Sequence, residues 1–280
     1  MKSKSRNKKI ILTLAFVILA VICVLWLFPM IWAIFTAFQS ETEIQKMDFH
    51  IIPVDFTWEN YFKLFNNDSS PVLRWFLNSL VVATGHMCLV LVVVSLAGYG
   101  FTRLDFKGRD GLFLLLMATM MFPSVMSLIP NFKIVDAFGW TNTYLAVIVP
   151  GAAGVTNVFL VRQFMMAIPR ELDEAAKVDG ANHWQIFRHI ILPNSKPVLM
   201  VVGLFSFTGA WNDFLWPSIV MSDVEMLPIT PGLQLLQGQY MTYPGIAMAG
   251  AIMAIIPTFV LYLFAQDKFM QSMSLGSGIK

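Results

Sequence analysis

Apolar residues fall in long blocks along this chain, with neither the alternation of a half-buried strand nor the narrow stripe of a surface helix. Blocks long enough to cross a bilayer occupy residues 10–38, 75–102, 111–132, 143–161, 198–220 and 245–264, and the only charge in any of them is Asp213. A backbone in hydrocarbon must satisfy its own polar groups, so these blocks predict helices. The expected fold is therefore an all-α integral membrane protein with six transmembrane helices. Residues 1–74 would hold the N-terminus, the first helix and an external segment. Residues 75–266 would form a five-helix core, and 267–280 a tail. Pro123, Pro130 and Pro257 lie inside blocks and predict bends. The glycines of Gly98-Tyr99-Gly100-Phe101 predict close helix packing.

The long polar interruption at about residues 162–196 has a helix-forming logic of its own. Pro169 suits a first turn, and Glu171, Asp173 and Glu174 complement the positive end of a helix dipole. Ala175 and Ala176 favour helix and carry almost no bulk, so a partner could approach the backbone closely. Gly180 can end this helix at positive φ, and 184–191 reads as a second short helix stopped by Pro193. A second constellation, Trp211-Asn212-Asp213-Phe214-Leu215-Trp216-Pro217, lies in the fifth block. Counted from Val198, Asp213 would sit about 22 Å along a continuous helix. An ionisable group at that depth marks a pathway or gate, while the tryptophans equally suit an interfacial belt.

The spacing Glu174-Ala175-Ala176, three residues, Gly180, nine residues, Ile190, one residue, Leu192-Pro193 resembles the EAA loop of ABC importer permeases, with every named position matched. The Trp211–Pro217 phrase, Val161-Arg162-Gln163-Phe164 and Ile168-Pro169-Arg170-Glu171-Leu172 are similar to the carbohydrate (maltose-type) class of that family. The resemblance implies a type I importer permease fold, with Glu174, Ala175, Ala176, Gly180, Ile190, Leu192 and Pro193 forming the ATPase-coupling loop. It also implies two ATPase subunits, a second related permease, an extracytoplasmic sugar-binding protein and a sugar cargo. Trp211, Asn212, Asp213 and Trp216 become candidates for the cargo pathway or its gate. Phe56-Thr57-Trp58-Glu59-Asn60-Tyr61 looks like a phrase of the same class and reads as a small interfacial helix.

Charge supplies an orientation. With the N-terminus inside, Lys46, Lys63, Arg74 and Lys133 lie outside and the other fifteen of the nineteen Lys and Arg residues lie inside. Both termini and the Glu174 loop are then cytoplasmic in the cell membrane of a prokaryote. The basic N-terminus is a membrane anchor rather than a nucleic-acid arm, and its apolar run is too long for a cleaved leader. Cys23 and Cys88 fall within spans, which makes an external disulfide unexpected.

No phosphate cradle, metal-ligand cluster or matched nucleophile and base is legible, so the chain is expected to be no enzyme and to carry no cofactor or metal. ATP would be hydrolysed by the partner subunits. Two rivals stay open: an ion-driven secondary transporter, and an ABC permease for a polyol or glycerol phosphate.

Overall fold

The structure is a computed structural model that describes residues 2–46, 50, 52–66, 70–239 and 243–276. The chain runs through α1 (Lys2–Ala37), α2 (Glu41–Gln45), α3 (Glu59–Phe65), α4 (Val72–Arg103) and α5 (Arg109–Thr119). There follow α6 (Leu128–Ala137), α7 (Leu145–Ile148), α8 (Val155–Met166), α9 (Glu171–Val178) and α10 (His183–Ile186). The last elements are α11 (Leu192–Asn194), α12 (Lys196–Asn212), α13 (Leu215–Val220), α14 (Ile229–Gln239) and α15 (Pro244–Gly276). Among the described residues the only β pairing is the isolated bridge between Gln39 and Phe56. The end of the expected tail, residues 277–280, lies outside the described residues.

Three helical stretches are long and apolar enough to cross a membrane alone: Ile11–Ala37, Val72–Arg103 and Pro244–Phe264. Two further candidates are bent pairs, Arg109–Thr119 with Ser124–Ala137 at 98° and His183–Asn194 with Lys196–Asn212 at 75°. The expected third, fourth and fifth blocks are thus not continuous helices. Proline explains the breaks inside those three blocks. A proline at position i removes the bond to the carbonyl at i−4 and its ring crowds that carbonyl. Pro123 acts in this way on Thr119, where α5 ends, and Pro150 acts on Ala146 in the four-residue α7. Pro217 acts on Asp213, which caps α12 in extended conformation with ψ 123°. Asp213 therefore stands at a break and not within a continuous helix.

Contacts divide the chain into two compact units, Met1–Ser70 with Leu233–Ile255 and Pro71–Gly232 with Ile256–Lys280. In the first unit the buried Asn60 amide donates to the carbonyls of Ala37 (3.0 Å) and Gln39 (2.8 Å). Phe38 stacks on Phe56 and also meets Trp58 and Tyr61 edge-on or tilted. The expected interfacial helix begins only at Glu59, because Phe56 is held extended in the bridge to Gln39.

In the second unit α4 packs against α8, α12 and α7. Its core includes Val90, Val94, Val158, Val161, Met165, Val198 and Val202, an all-apolar seam of the kind that drives helix association through close packing. Gly98 is part of that seam: a Cβ there would come within 2.8 Å of Val161 Cγ1. A Cβ on Gly100 would meet nothing within 4 Å among the described residues beyond its own stretch of helix.

Candidate functional site

The polar loop is built from α9, a glycine turn and α10 continued by a π-helical turn at Phe187–Ile191. Glu171, Asp173 and Glu174 occupy the first turn of α9 and Lys177 its last, which suits both ends of the helix dipole. Gly180, at φ 83°, ends α9 in a Schellman turn: Ala181 N donates to Ala176 O at 2.9 Å and Gly180 N to Lys177 O at 3.0 Å. A capping box then starts α10, with Gln185 N donating to Asn182 Oδ1 at 2.9 Å and Asn182 N to Gln185 Oε1 at 2.8 Å. The Asn-x-x-Gln spacing of residues 182–185 carried that signal in the sequence, yet the helix was expected one residue later. Nor does Pro193 stop the helix. The widened turn at Phe187–Ile191 lies over the carbonyl of His189, where the proline ring would crowd an ordinary turn, and helix resumes through Asn194.

The motif residues divide by burial. Glu174, Ala175, Gly180 and Pro193 are exposed. Ile190, Leu192 and Ala176 are partly covered and pack against the core that contains Ile186, Phe187 and Ile191. One half of the motif is therefore an outward surface and the other half its root. Apolar side chains also lie exposed on this polar loop: Val178 is 89% exposed, Trp184 59% and Leu172 44%.

The loop's attachment was also invisible in the sequence. Arg103, at the last turn of α4, places Nε 2.8 Å from Asp173 Oδ2, with side-chain exposures of only 4% and 10%. The pair meets by charge and not as an aligned hydrogen bond, for neither Arg103 Nε nor Asp173 Oδ1 has a hydrogen-bond partner among the described residues. Arg103 Nη2 donates to Ile168 O at 2.7 Å, and Arg170 Nη2 to Thr102 O at 3.2 Å. Tyr99 donates to His183 O at 3.0 Å.

Packing divides the second candidate group. Trp211 is fully buried, stacked on Phe207 and edge-on to Phe76. Asn212 is exposed and donates to Thr208 O at 2.9 Å. Asp213 and Trp216 do line a common cavity, of about 480 Å³, together with His86, Ser124, Asn131, Asn157 and Ser206. Asp213 Oδ1 accepts from Trp216 N at 3.4 Å, and Trp216 Nε1 donates to Ala146 O at 2.8 Å. His86 Nδ1 lies 2.8 Å from Ile148 O. The walls therefore combine hydroxyl, amide, imidazole and carboxylate groups with an indole face, and the volume falls in the range of small-ligand sites. Among the described residues no group of His, Cys, Asp and Glu could hold a metal ion.

These features define a multi-pass helical membrane protein with a polar cavity among its broken helices and a surface-presenting loop rooted in its core. Residues 91–273 match the family described as the binding-protein-dependent transport system inner membrane component, and the chain belongs to that family. It is 32% identical to the arabinooligosaccharides transport system permease protein AraQ of Halalkalibacterium halodurans over 96% of both chains. It is 33% identical to the lactose transport system permease protein LacG of Rhizobium radiobacter over 93% of both. The fold is similar to that of a bacterial ABC transporter involved in the import of the acidic polysaccharide alginate, with a TM-score of 0.84, 22% identity and coverage of 94% of this chain and 98% of that one. The chain is accordingly a membrane permease component, not itself an enzyme, of a system that depends on a binding protein.

Proposed function

We propose that this chain is one permease subunit of an ABC importer for a sugar or oligosaccharide. The observation that carries the cargo class is end-to-end similarity to permeases named for arabino-oligosaccharides and lactose. A neutral, hydroxyl-rich cargo also suits the cavity. The indole of Trp216 can pack on sugar C–H faces while Asn131, Asn157, Ser206 and Asp213 bond hydroxyls. An anionic cargo such as glycerol phosphate would want cations, and among the described residues no Lys or Arg lines this cavity.

Six spans with both termini cytoplasmic complete the reading: α1, α4 and α15, the two bent pairs, and the broken α7–α8 segment. A second related permease would supply the other half of the pathway, and an extracytoplasmic sugar-binding protein would deliver cargo. Two ATPase subunits would bind inside, one of them on the exposed face of α9 and the turn at Gly180, where Glu174 offers a carboxylate and Ala175 a close approach. Their closure on ATP would move the loop and exchange inward-open and outward-open states.

The test is uptake into proteoliposomes holding the complete transporter, offered labelled arabino-oligosaccharides, lactose, maltodextrins and glycerol phosphate. ATP-dependent accumulation of one of the sugars, weakened in Asp213→Ala, is expected. Uptake without the ATPase subunits, or preference for glycerol phosphate, would overturn the reading.

A further inference from the structure

The loop is continuous in the chain with α8 on one side and α12 on the other, yet its polar attachments lead elsewhere. Arg103 of α4 touches Asp173 and Ile168, Thr102 accepts from Arg170, and Tyr99 reaches His183. The final turns of α4 thus hold the loop on both sides of its glycine turn. At its other end α4 holds a second segment. Trp75 Nε1 donates to Val224 O at 2.6 Å, Asn78 Nδ2 to Glu225 O at 2.8 Å and Leu227 O at 3.0 Å, and Ile229 N donates to Ser79 Oγ at 2.7 Å. Between these ends, His86 lines the cavity. At 1.5 Å per residue the cavity lies about 26 Å from Arg103 and the Asn78 contacts about 37 Å from it.

Stiffness distinguishes α4 from the other long helical segments. The segments around α5–α6, α7–α8 and α12–α13 are broken at prolines, and α1 and α15 carry Pro29 and Pro257 internally. The 32 residues of α4 contain no proline and form one helix.

Resting on the importer reading, we propose that α4 is the transmission rod of this subunit, and that the buried Arg103–Asp173 pair is the clamp through which the loop drives it. Both are positioning residues: neither meets cargo or nucleotide, and both act by making loop and rod move together. An ion pair suits a clamp because removing either partner leaves an uncompensated buried charge. Sliding the helices apart meets the same opposition.

The test uses the complete transporter on a Cys23→Ser/Cys88→Ala background. Ala210→Cys, in the cavity wall, serves as reporter for a membrane-impermeant maleimide. With the pair intact, trapping nucleotide with vanadate should change the labelling rate by about tenfold, an ordinary coupling. Asp173→Asn should keep its ATPase subunits and trap nucleotide, yet show a change below about twofold. Arg103→Met/Asp173→Leu, which leaves no orphan charge and so keeps the fold, should behave alike. A full labelling change in that double variant would overturn the clamp, and so would loss of the ATPase subunits from it, which would make the pair purely structural. If the chain with the intact pair binds no ATPase subunits, the importer reading itself falls. If it binds them but its labelling ignores nucleotide, the cavity is not on the moving path and the rod falls with it.

Discussion

The indole N–H of Trp216 donates to the carbonyl of Ala146 at 2.8 Å, closing a gap that proline opens. Pro150 has no N–H to offer Ala146, so the helix leaves that acceptor bare and a side chain from α13 takes it. His86 Nδ1 likewise lies 2.8 Å from the carbonyl of Ile148, whose i+4 amide, Ala152 N, turns to Val149 O instead. Broken helices beside a polar cavity persist in a membrane chain because such contacts re-satisfy the freed backbone. Trp216→Phe keeps the ring and deletes the donor. It should lower stability in detergent by about 1–3 kcal/mol, the cost of an orphaned buried acceptor, and be read as a lower unfolding temperature.

Gly180 stands at φ 83°, and a Cβ there would meet no atom within 4 Å among the described residues beyond its chain neighbours. Any cost of substitution is therefore conformational and not steric. Gly180→Ala should destabilise the turn by about 1–2 kcal/mol, and Gly180→Asn by less, because asparagine visits this region more readily. Hydrogen exchange at the Ala181 amide, which closes the turn on Ala176, should speed up in that order.

Glu174 is exposed, so reversing its charge should leave folding within about 0.5 kcal/mol. Glu174→Lys should nevertheless lose the ATPase subunits on co-purification. Retention of those subunits with normal uptake would remove Glu174 from the docking surface.

Gly98 and Gly100 make a paired test. Gly98→Ala drives a methyl to 2.8 Å from Val161 Cγ1 and 3.2 Å from Met165 sulfur, and should cost about 1–3 kcal/mol. Gly100→Ala meets nothing among the described residues beyond its own helix and should stabilise α4 by about 0.5–1 kcal/mol. Thermal unfolding of the two variants, run side by side, should give opposite signs.

Glu41 accepts from Gly245 N at 3.2 Å, and burial raises its pKa above the ordinary 4.5. The folded state then holds the proton more tightly than the unfolded chain does. The resulting stabilisation is present below pH 4.5 and is lost as pH rises through the raised folded value. Glu41→Gln, which mimics the protonated acid, should match the parent protein at low pH and become progressively the more stable as pH increases. A gap between their unfolding temperatures that is constant across pH would refute this.

The pairs above also show where sequence reading stops. Gly98 and Gly100 look alike in the chain; only the placement of Val161 distinguishes them. Asp173 read as one of three carboxylates at a helix start, and nothing local marks it as the one that turns inward to an arginine seventy positions away. Trp211 and Trp216 read as one aromatic group, but packing puts the first among Phe76 and Phe207 and the second on the cavity wall. The prolines were visible, and their i−4 carbonyls could have located the breaks.

Chain composition and local spacing suffice for the all-helical membrane class, the polar interruption with its glycine stop, and the pattern of the loop motif. Those properties depend on hydropathy, dihedral preference and capping, which act over a few residues. Which helices break, which motif residues face outward, and which helix grips the loop depend on partners brought together from distant parts of the chain. Burial and pairing energies exist only once those partners meet, so only the folded arrangement could assign them.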